Sequence, residues 1–157
     1  MSKPTDEIKA DERSDGLENF QAFRDLHWDS GPTMLQLVIT AHLYIENGLD
    51  RMLCNILPND SELIRLSFKN KITVASSIGL HADSITVLEK LNSLRNKFAH
   101  NLDYKINWSD LNALAVKSRY KKKDWNKDQH RVLRGVLSTI IGYSDATFNH
   151  YSTKKLR

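Results

Sequence analysis

The chain has 157 residues, of which 40% are hydrophobic and 27% charged, and it contains one cysteine. This composition is typical of a globular domain with a sizeable core, and it excludes internal disulfides and cysteine-rich zinc sites. Residues 1–30 carry four basic against eight acidic side chains, whereas residues 31–157 carry 19 against 11. We therefore expect an acidic N-terminal arm and a basic body, and a basic body favours polyanionic partners.

The acidic arm, residues 1–30, has two predicted parts. Residues 1–15 lack apolar periodicity, and we expect them to be disordered. Residues 16–28 can form a short helix, ended by Ser30-Gly31-Pro32, whose apolar face is Leu17, Phe20, Phe23 and His27. The arm either stays a solvated tail or folds back on the basic body. It is unlike a signal peptide, and no stretch approaches the ~20 apolar residues of a membrane span, so we expect a cytoplasmic protein without a membrane partner.

The body, residues 31–157, predicts a succession of helices. Apolar residues recur every three or four positions, as in amphipathic helices, over Thr33–Leu57, Ser61–Ile78, the segment from Asp83 or Ser84 to Phe98, Ser109–Val116, and a last segment from Leu133 towards Tyr151. Pro58 and Gly79 separate the first three, and a loop over 101–107 follows the third. No alternating strand pattern occurs. The sequence thus predicts an all-α, single-domain bundle of antiparallel helices.

The end of the third predicted helix, Leu-Arg-Asn-Lys-Phe-Ala-His (94–100), carries the most informative residues, Arg95 and His100. Arginine binds phosphate with a planar fork of donors, and histidine exchanges protons near neutral pH, so the pair is sufficient in principle to cleave a phosphodiester without a metal. A straight helix separates positions i and i+5 by about 140°. Either the helix ends or bends near Ala99, or the two residues act in a groove formed by more than one chain. Alternatively, Arg95 forms a structural ion pair and His100 only caps the helix.

Three further polar residues can support this pair. Glu46 lies on the core-facing stripe of the longest predicted helix, where a carboxylate needs a partner, and Arg95 is the tertiary candidate. Alternatively, Glu46 lies at the solvent edge. Asn96 and Asn101 flank the motif, and each could orient a phosphate or cap the helix end.

A basic segment is the second candidate site. Residues 117–134 contain eight basic and two acidic side chains, with two aromatic rings among them. Basic groups can follow a phosphate backbone while aromatic rings stack on unpaired bases. The alternative is a solvated loop with both rings packed on the core. The candidate RNA-binding residues are Lys117, Arg119, Tyr120, Lys121, Lys122, Lys123 and Trp125.

Signatures of other chemistry are missing from the sequence. It contains no glycine-rich phosphate loop, no cluster of cysteine and histidine residues, and no Gly-x-Ser-x-Gly nucleophile motif. We therefore expect neither a metal nor a cofactor.

Residues 94–100 resemble the Arg-x4-6-His signature of the HEPN superfamily, with four intervening residues and asparagine directly after the arginine, a common form of that signature. The preceding helix, residues 41–53, resembles the HEPN branch that includes mannitol operon repressor-like proteins. The resemblance covers residues 33–150. It implies a helical bundle that dimerises, with two copies of the motif facing each other across the interface.

The resemblance also implies an activity and partners. Many HEPN proteins are metal-independent ribonucleases of toxin–antitoxin or phage-defence systems, and an antitoxin or regulatory protein would then be a partner. His100 would act as general base or acid for attack by the RNA 2′-hydroxyl, and Arg95 would stabilise the transition-state charge, giving a 2′,3′-cyclic phosphate. The motif also persists in non-enzymatic members, so the alternative is a helical regulator or interaction protein resembling mannitol operon repressors.

Overall fold

The computed structural model describes residues 18–58, 60–118, 125 and 127–153. The chain divides after Thr33 into two compact units. In the first unit, residues 18–27 are helical (α1), and the rings of Phe20 and Phe23 contact Trp28 at centroid distances of 6.2 and 5.5 Å. The predicted disorder of residues 1–15 lies outside the described residues.

The described residues of the second unit form six helices. They are α2 (Met34–Ile56), α3 (Asp60–Ile64), α4 (Phe68–Ser77), α5 (Ala82–His100), α6 (Trp108–Ser118) and α7 (Gln129–Ser152). No strand occurs over 18–58, 60–118 and 127–153, so the all-α prediction is confirmed. No helix within these ranges is long and apolar enough to cross a membrane.

Several helix boundaries differ from the predicted ones because side chains cap the backbone. The predicted helix over residues 61–78 is two helices, since the Ser67 side chain accepts a hydrogen bond from the backbone of Asn70 and starts α4 there. The predicted stop at Gly79 is confirmed, with φ at +94°. The imidazole of His81, and not Asp83 or Ser84, caps the start of α5.

The core of the unit is centred on the contact between α2 and α7. Gly48 permits this close approach, because a Cβ atom there would lie 3.1 Å from the buried ring of Phe148. Near it the Tyr44 hydroxyl donates a hydrogen bond of 2.9 Å to Asp145. These contacts advance in the same direction along both helices. The two longest helices therefore run in the same sense where they meet, so the predicted antiparallel arrangement is wrong for this pair. The helices between them bring the chain back to the end at which α2 begins, and α7 then runs in the direction of α2.

Helix α5 carries the motif and lies among the other helices. It packs against α2, α4 and α6, and its buried face includes Val87, Leu88, Leu91, Leu94 and Phe98. The polar side of its last turn is open, and His100 lies exposed there.

Candidate functional site

The helix that carries the motif is continuous through both candidate residues. Helix α5 runs to His100, and the backbone N–H of Asn101 still bonds to the Lys97 carbonyl at 3.2 Å. Helix α5 thus ends one residue beyond Ala99, close to one of the two expected alternatives, but it neither ends nor bends before His100. Arg95 and His100 lie about 140° apart around one helix, as five regular residues require. Within one chain they face different surroundings.

An open groove lies between α4 and α5. Its volume is about 650 Å³, and His100 lies exposed along it. The residues that line it are Lys69, Ile72 and Thr73 from α4 and Glu89, Asn92, Ser93, Asn96, Lys97 and His100 from α5. Most of them are polar or basic, and Glu89 is the one acidic residue among them. The α5 members recur every three or four positions, so one helix face forms this wall.

Arg95 lies outside the set of lining residues but contacts one of them. Its Nη1 donates a hydrogen bond of 3.1 Å to Oδ1 of Asn96, which lines the groove. Among the described residues, Arg95 forms no ion pair. His100 and Asn96 therefore line the same groove, whereas Arg95 contacts a lining residue, Asn96, without lining the groove itself.

Glu46 does not pair with Arg95 as predicted, because Lys71 binds it. The Lys71 side chain is 3% exposed, and its Nζ lies 2.8 Å from Glu46 and 2.9 Å from Asp50. Burial alone would lower the pKa of Lys71, but the hydrogen bonds and negative charges of both carboxylates raise it instead. The ammonium group is therefore a structural cation between α2 and α4.

A buried histidine connects this ion-pair cluster to α5. His42 packs against the ring of Phe68 at 4.3 Å, and its Nδ1 lies 3.8 Å from Glu46. Burial lowers the pKa of His42, and the nearby Arg95 guanidinium acts in the same direction, whereas Glu46 and Asn92 oppose it. The neutral form of the imidazole is therefore favoured, and His42 interacts electrostatically with Glu46 of α2 and Arg95 of α5.

The end of α5 is fixed to the start of α6 through Asp110. Lys97 donates a hydrogen bond of 2.7 Å to Asp110, and the Tyr104 hydroxyl donates to the same carboxylate. Burial alone would raise the pKa of Asp110, but these hydrogen bonds lower it. Asp110 and Asn107 also bond reciprocally to each other's backbone N–H, so Asn107 caps α6. These contacts hold the C-terminal end of α5, and with it one end of the groove, in place.

Asn101 has a structural role in the described chain. Its side-chain oxygen accepts a hydrogen bond from the backbone of Asp103 at 3.0 Å, which stabilises the turn after α5. Asn101 is not among the residues that line the groove. Of the two flanking amides, only Asn96 shares the surface with His100.

Most of the predicted RNA-binding segment lies outside the described residues. Arg119, Tyr120, Lys121, Lys122 and Lys123 lie outside the described residues, and Lys117 belongs to α6 without a described side chain. The ring of Trp125 stacks on Trp108 at a centroid distance of 5.7 Å. The structure therefore has the Trp125 ring packed against another aromatic side chain.

Sequence reasoning missed Lys71, Lys69 and Asn92. Lys71 follows the apolar spacing of α4, with Phe68 three positions before it and Ala75 four after it, so its burial could have been suspected. Nothing local distinguishes Lys69 or Asn92, because the packing of two helices brings them to the groove. No cluster of three or more metal-binding side chains occurs in the part of the chain that the structure describes.

No protein-family model, curated protein or solved structure matches this chain. The resemblance of residues 94–100 and of helix α2 to HEPN proteins therefore remains an expectation from the motif.

Proposed function

We propose that this protein is a metal-independent endoribonuclease of the HEPN type, acting in the cytoplasm in toxin–antitoxin or phage-defence systems. One observation supports it most strongly: His100 lies exposed along a groove of about 650 Å³ beside Asn96 and the exposed Lys69. Such a surface offers a proton-transfer group together with hydrogen-bond donors and positive charge. These are the groups that cleavage of an RNA phosphodiester requires.

The chemistry would proceed by transfer of the RNA phosphate to its own ribose. His100 takes the proton of the 2′-hydroxyl, and the 2′-oxygen attacks the adjacent phosphorus. The bond from phosphorus to the 5′-oxygen breaks, and that oxygen takes a proton from a second acid. The products are a 2′,3′-cyclic phosphate and a 5′-hydroxyl. Positive charge near the groove, including that of Arg95, lowers the energy of the phosphorane-like transition state.

A second copy of the chain would complete this site. One protomer places a single imidazole along the groove, whereas the reaction uses a base and an acid. A homodimer with the two α5 ends facing each other would bring two copies of His100 together. The basic segment with Lys117 and Trp125 would then contact RNA beside the cleft, and an antitoxin would act by covering it.

A second candidate function is a non-catalytic helical regulator or interaction protein, resembling the mannitol operon repressor-like branch. It is favoured by the position of Arg95, which bonds to Asn96 within the protein instead of lining the groove. An arginine used to organise a surface serves binding of a partner as well as catalysis. The two candidates differ in whether His100 changes a substrate.

The deciding experiment is incubation of mixed RNA with the purified protein in the presence of a chelator. Wild type is compared with His100→Ala and Arg95→Ala, and His150→Ala serves as the control because it removes an exposed histidine from the last turn of another helix. We expect cleavage with cyclic-phosphate ends by wild type and by His150→Ala only. The thermal midpoint of each variant shows whether it folds.

The opposite results are equally clear. Absence of cleavage by a folded wild-type dimer would reject the ribonuclease and favour the regulator. Cleavage that persists in His100→Ala would reject the assignment of His100. Cleavage that requires a divalent cation would reject the metal-independent mechanism.

A further inference from the structure

Arg95 has an unusual setting for an arginine of a phosphate site. Its side chain is only partly exposed, it does not line the groove, and it forms no ion pair with the acidic residues of the described chain. The carboxylate expected to pair with it, Glu46, is bound by the buried Lys71 at 2.8 Å. Within the described residues, the guanidinium makes its hydrogen bond to Asn96, at 3.1 Å.

This hydrogen bond determines which way the amide of Asn96 points. A guanidinium has only donors, so the group that faces Arg95 must be the carbonyl oxygen of the amide. The NH₂ group of Asn96 is then on the side away from Arg95. Asn96 lines the groove, so an NH₂ group turned away from Arg95 could donate a hydrogen bond into it.

Asn96 is also the neighbour of His100 on the helix surface. The two residues are four positions apart on α5, which places their side chains about 40° apart on one face, and both line the groove. Arg95 is one position before Asn96 and points elsewhere. The residue that can reach a ligand together with His100 is thus the asparagine and not the arginine.

We propose that Asn96 is the residue that contacts an RNA phosphate beside His100, and that Arg95 is a positioning residue that holds the amide of Asn96 with its NH₂ group towards the groove. This inference rests on the proposed function for its ligand, a phosphodiester of single-stranded RNA. It assigns to the arginine an indirect role. The positive charge of Arg95 acts through the polarised amide as well as through space.

Substitution by lysine separates an indirect from a direct role of Arg95. Lysine keeps the charge and one donor for the Asn96 oxygen, but it cannot bind phosphate with a planar fork. If Arg95 positions Asn96, Arg95→Lys retains binding within about threefold of wild type, whereas Arg95→Ala loses about tenfold. If Arg95 itself grips the phosphate, Arg95→Lys loses nearly as much as Arg95→Ala.

Substitution of Asn96 by aspartate separates a binding role from a structural one. The new carboxylate would still accept the hydrogen bond of Arg95, now as an ion pair, so the fold keeps its stability. The groove would gain a negative charge and lose a donor. We therefore expect Asn96→Asp to weaken RNA binding more than tenfold, about the effect of one lost charge-assisted hydrogen bond, without lowering the thermal midpoint. Asn55→Asp makes the same chemical change at an exposed position of α2 outside the groove and is the matched control.

The experiment measures binding, so it does not depend on catalysis. The probe is a short, fluorescently labelled 2′-O-methyl oligonucleotide, which lacks the attacking hydroxyl and cannot be cleaved. Its affinity for wild type and each variant is measured by anisotropy. In parallel, the side-chain NH₂ resonances of Asn96 are followed by NMR during the titration. We expect these resonances to shift in wild type and Arg95→Lys and to stay unchanged in Arg95→Ala.

The outcomes separate this inference from the function on which it rests. If wild type does not bind the oligonucleotide at all, the proposed RNA function is rejected. If wild type binds but Arg95→Lys is as weak as Arg95→Ala, the positioning role is wrong and the ribonuclease proposal stands. If Asn96→Asp binds as well as Asn55→Asp, the contact of Asn96 with phosphate is wrong.

Discussion

Replacement of Lys71 by methionine is the sharpest test of the buried ion-pair cluster between α2 and α4. The change keeps an apolar stem of similar length but removes an ammonium group that is 3% exposed and bonded to two carboxylates at 2.8 and 2.9 Å. Removing one partner of a buried ion pair costs about 3–5 kcal/mol, because the other charge stays behind without a partner. Glu46 and Asp50 remain 24% and 20% exposed and reach water, so we expect the lower end, about 3 kcal/mol.

For a domain of this size, about 3 kcal/mol corresponds to a fall of roughly 6–12 °C in the thermal midpoint. Circular dichroism at pH 7 measures it, and Lys90→Met on the exposed face of α5 is the control, expected to change the midpoint by less than about 2 °C. A triple variant with Glu46→Gln and Asp50→Asn should regain most of the loss, because neutral amides do not need the ammonium. A midpoint that stays unchanged in Lys71→Met, or a triple variant less stable than the single one, would show that the cluster does not contribute as argued.

Three further outcomes follow from the packing and the pKa shifts. Gly48→Ala should destabilise by about 1 kcal/mol in urea unfolding, since contact with the buried Phe148 outweighs the gain in helix propensity, whereas Gly142→Ala, with open space around it, should stabilise by about 0.5–1 kcal/mol. Burial raises the pKa of Asp145, so the charged carboxylate is disfavoured in the folded state. Asp145→Asn should therefore raise the free energy of unfolding at pH 7. This advantage should vanish below about pH 4, where the carboxyl group is protonated in both the folded and the unfolded state. The hydrogen bonds that lower the pKa of Asp110 stabilise the fold above its unfolded pKa of about 4, and this stabilisation is lost as the pH falls through the lowered value. Asp110→Asn should therefore lower the free energy of unfolding by about 1–2 kcal/mol at pH 7 and make the acid transition shallower. Equal acid transitions in wild type and variant would contradict this assignment.

The helices could be predicted from the sequence because their signals are local. Apolar spacing placed α2 over residues 33–57, and the structure has Met34–Ile56. The split between α3 and α4 was missed because one serine hydroxyl decides it, and a continuous apolar pattern gives no sign of such a cap. The relative direction of α2 and α7 was also predicted wrongly, because it depends on how the intervening helices return the chain.

The candidate site was only partly predictable, for a different reason. Residue type identified Arg95, Asn96 and His100 as chemically informative, and the structure places the last two on one groove. Residue type predicts only that Glu46 has a cationic partner, and it does not distinguish Arg95 from Lys71. Distance along the chain gives no preference between them, so only packing selects Lys71.

The choice of Lys71 over Arg95 has a consequence for the site. An arginine paired with a buried carboxylate would be neutralised, and its donors would be directed towards that carboxylate. Lys71 instead binds both Glu46 and Asp50, and the imidazole of His42, whose pKa is lowered by burial, adds no charge beside Arg95. The guanidinium therefore forms no ion pair among the described residues, and its hydrogen bond goes to Asn96. The chain thus uses one cation to hold α2 against α4 and leaves the other to act on the groove, which is why loss of Lys71 should weaken stability and loss of Arg95 should weaken binding.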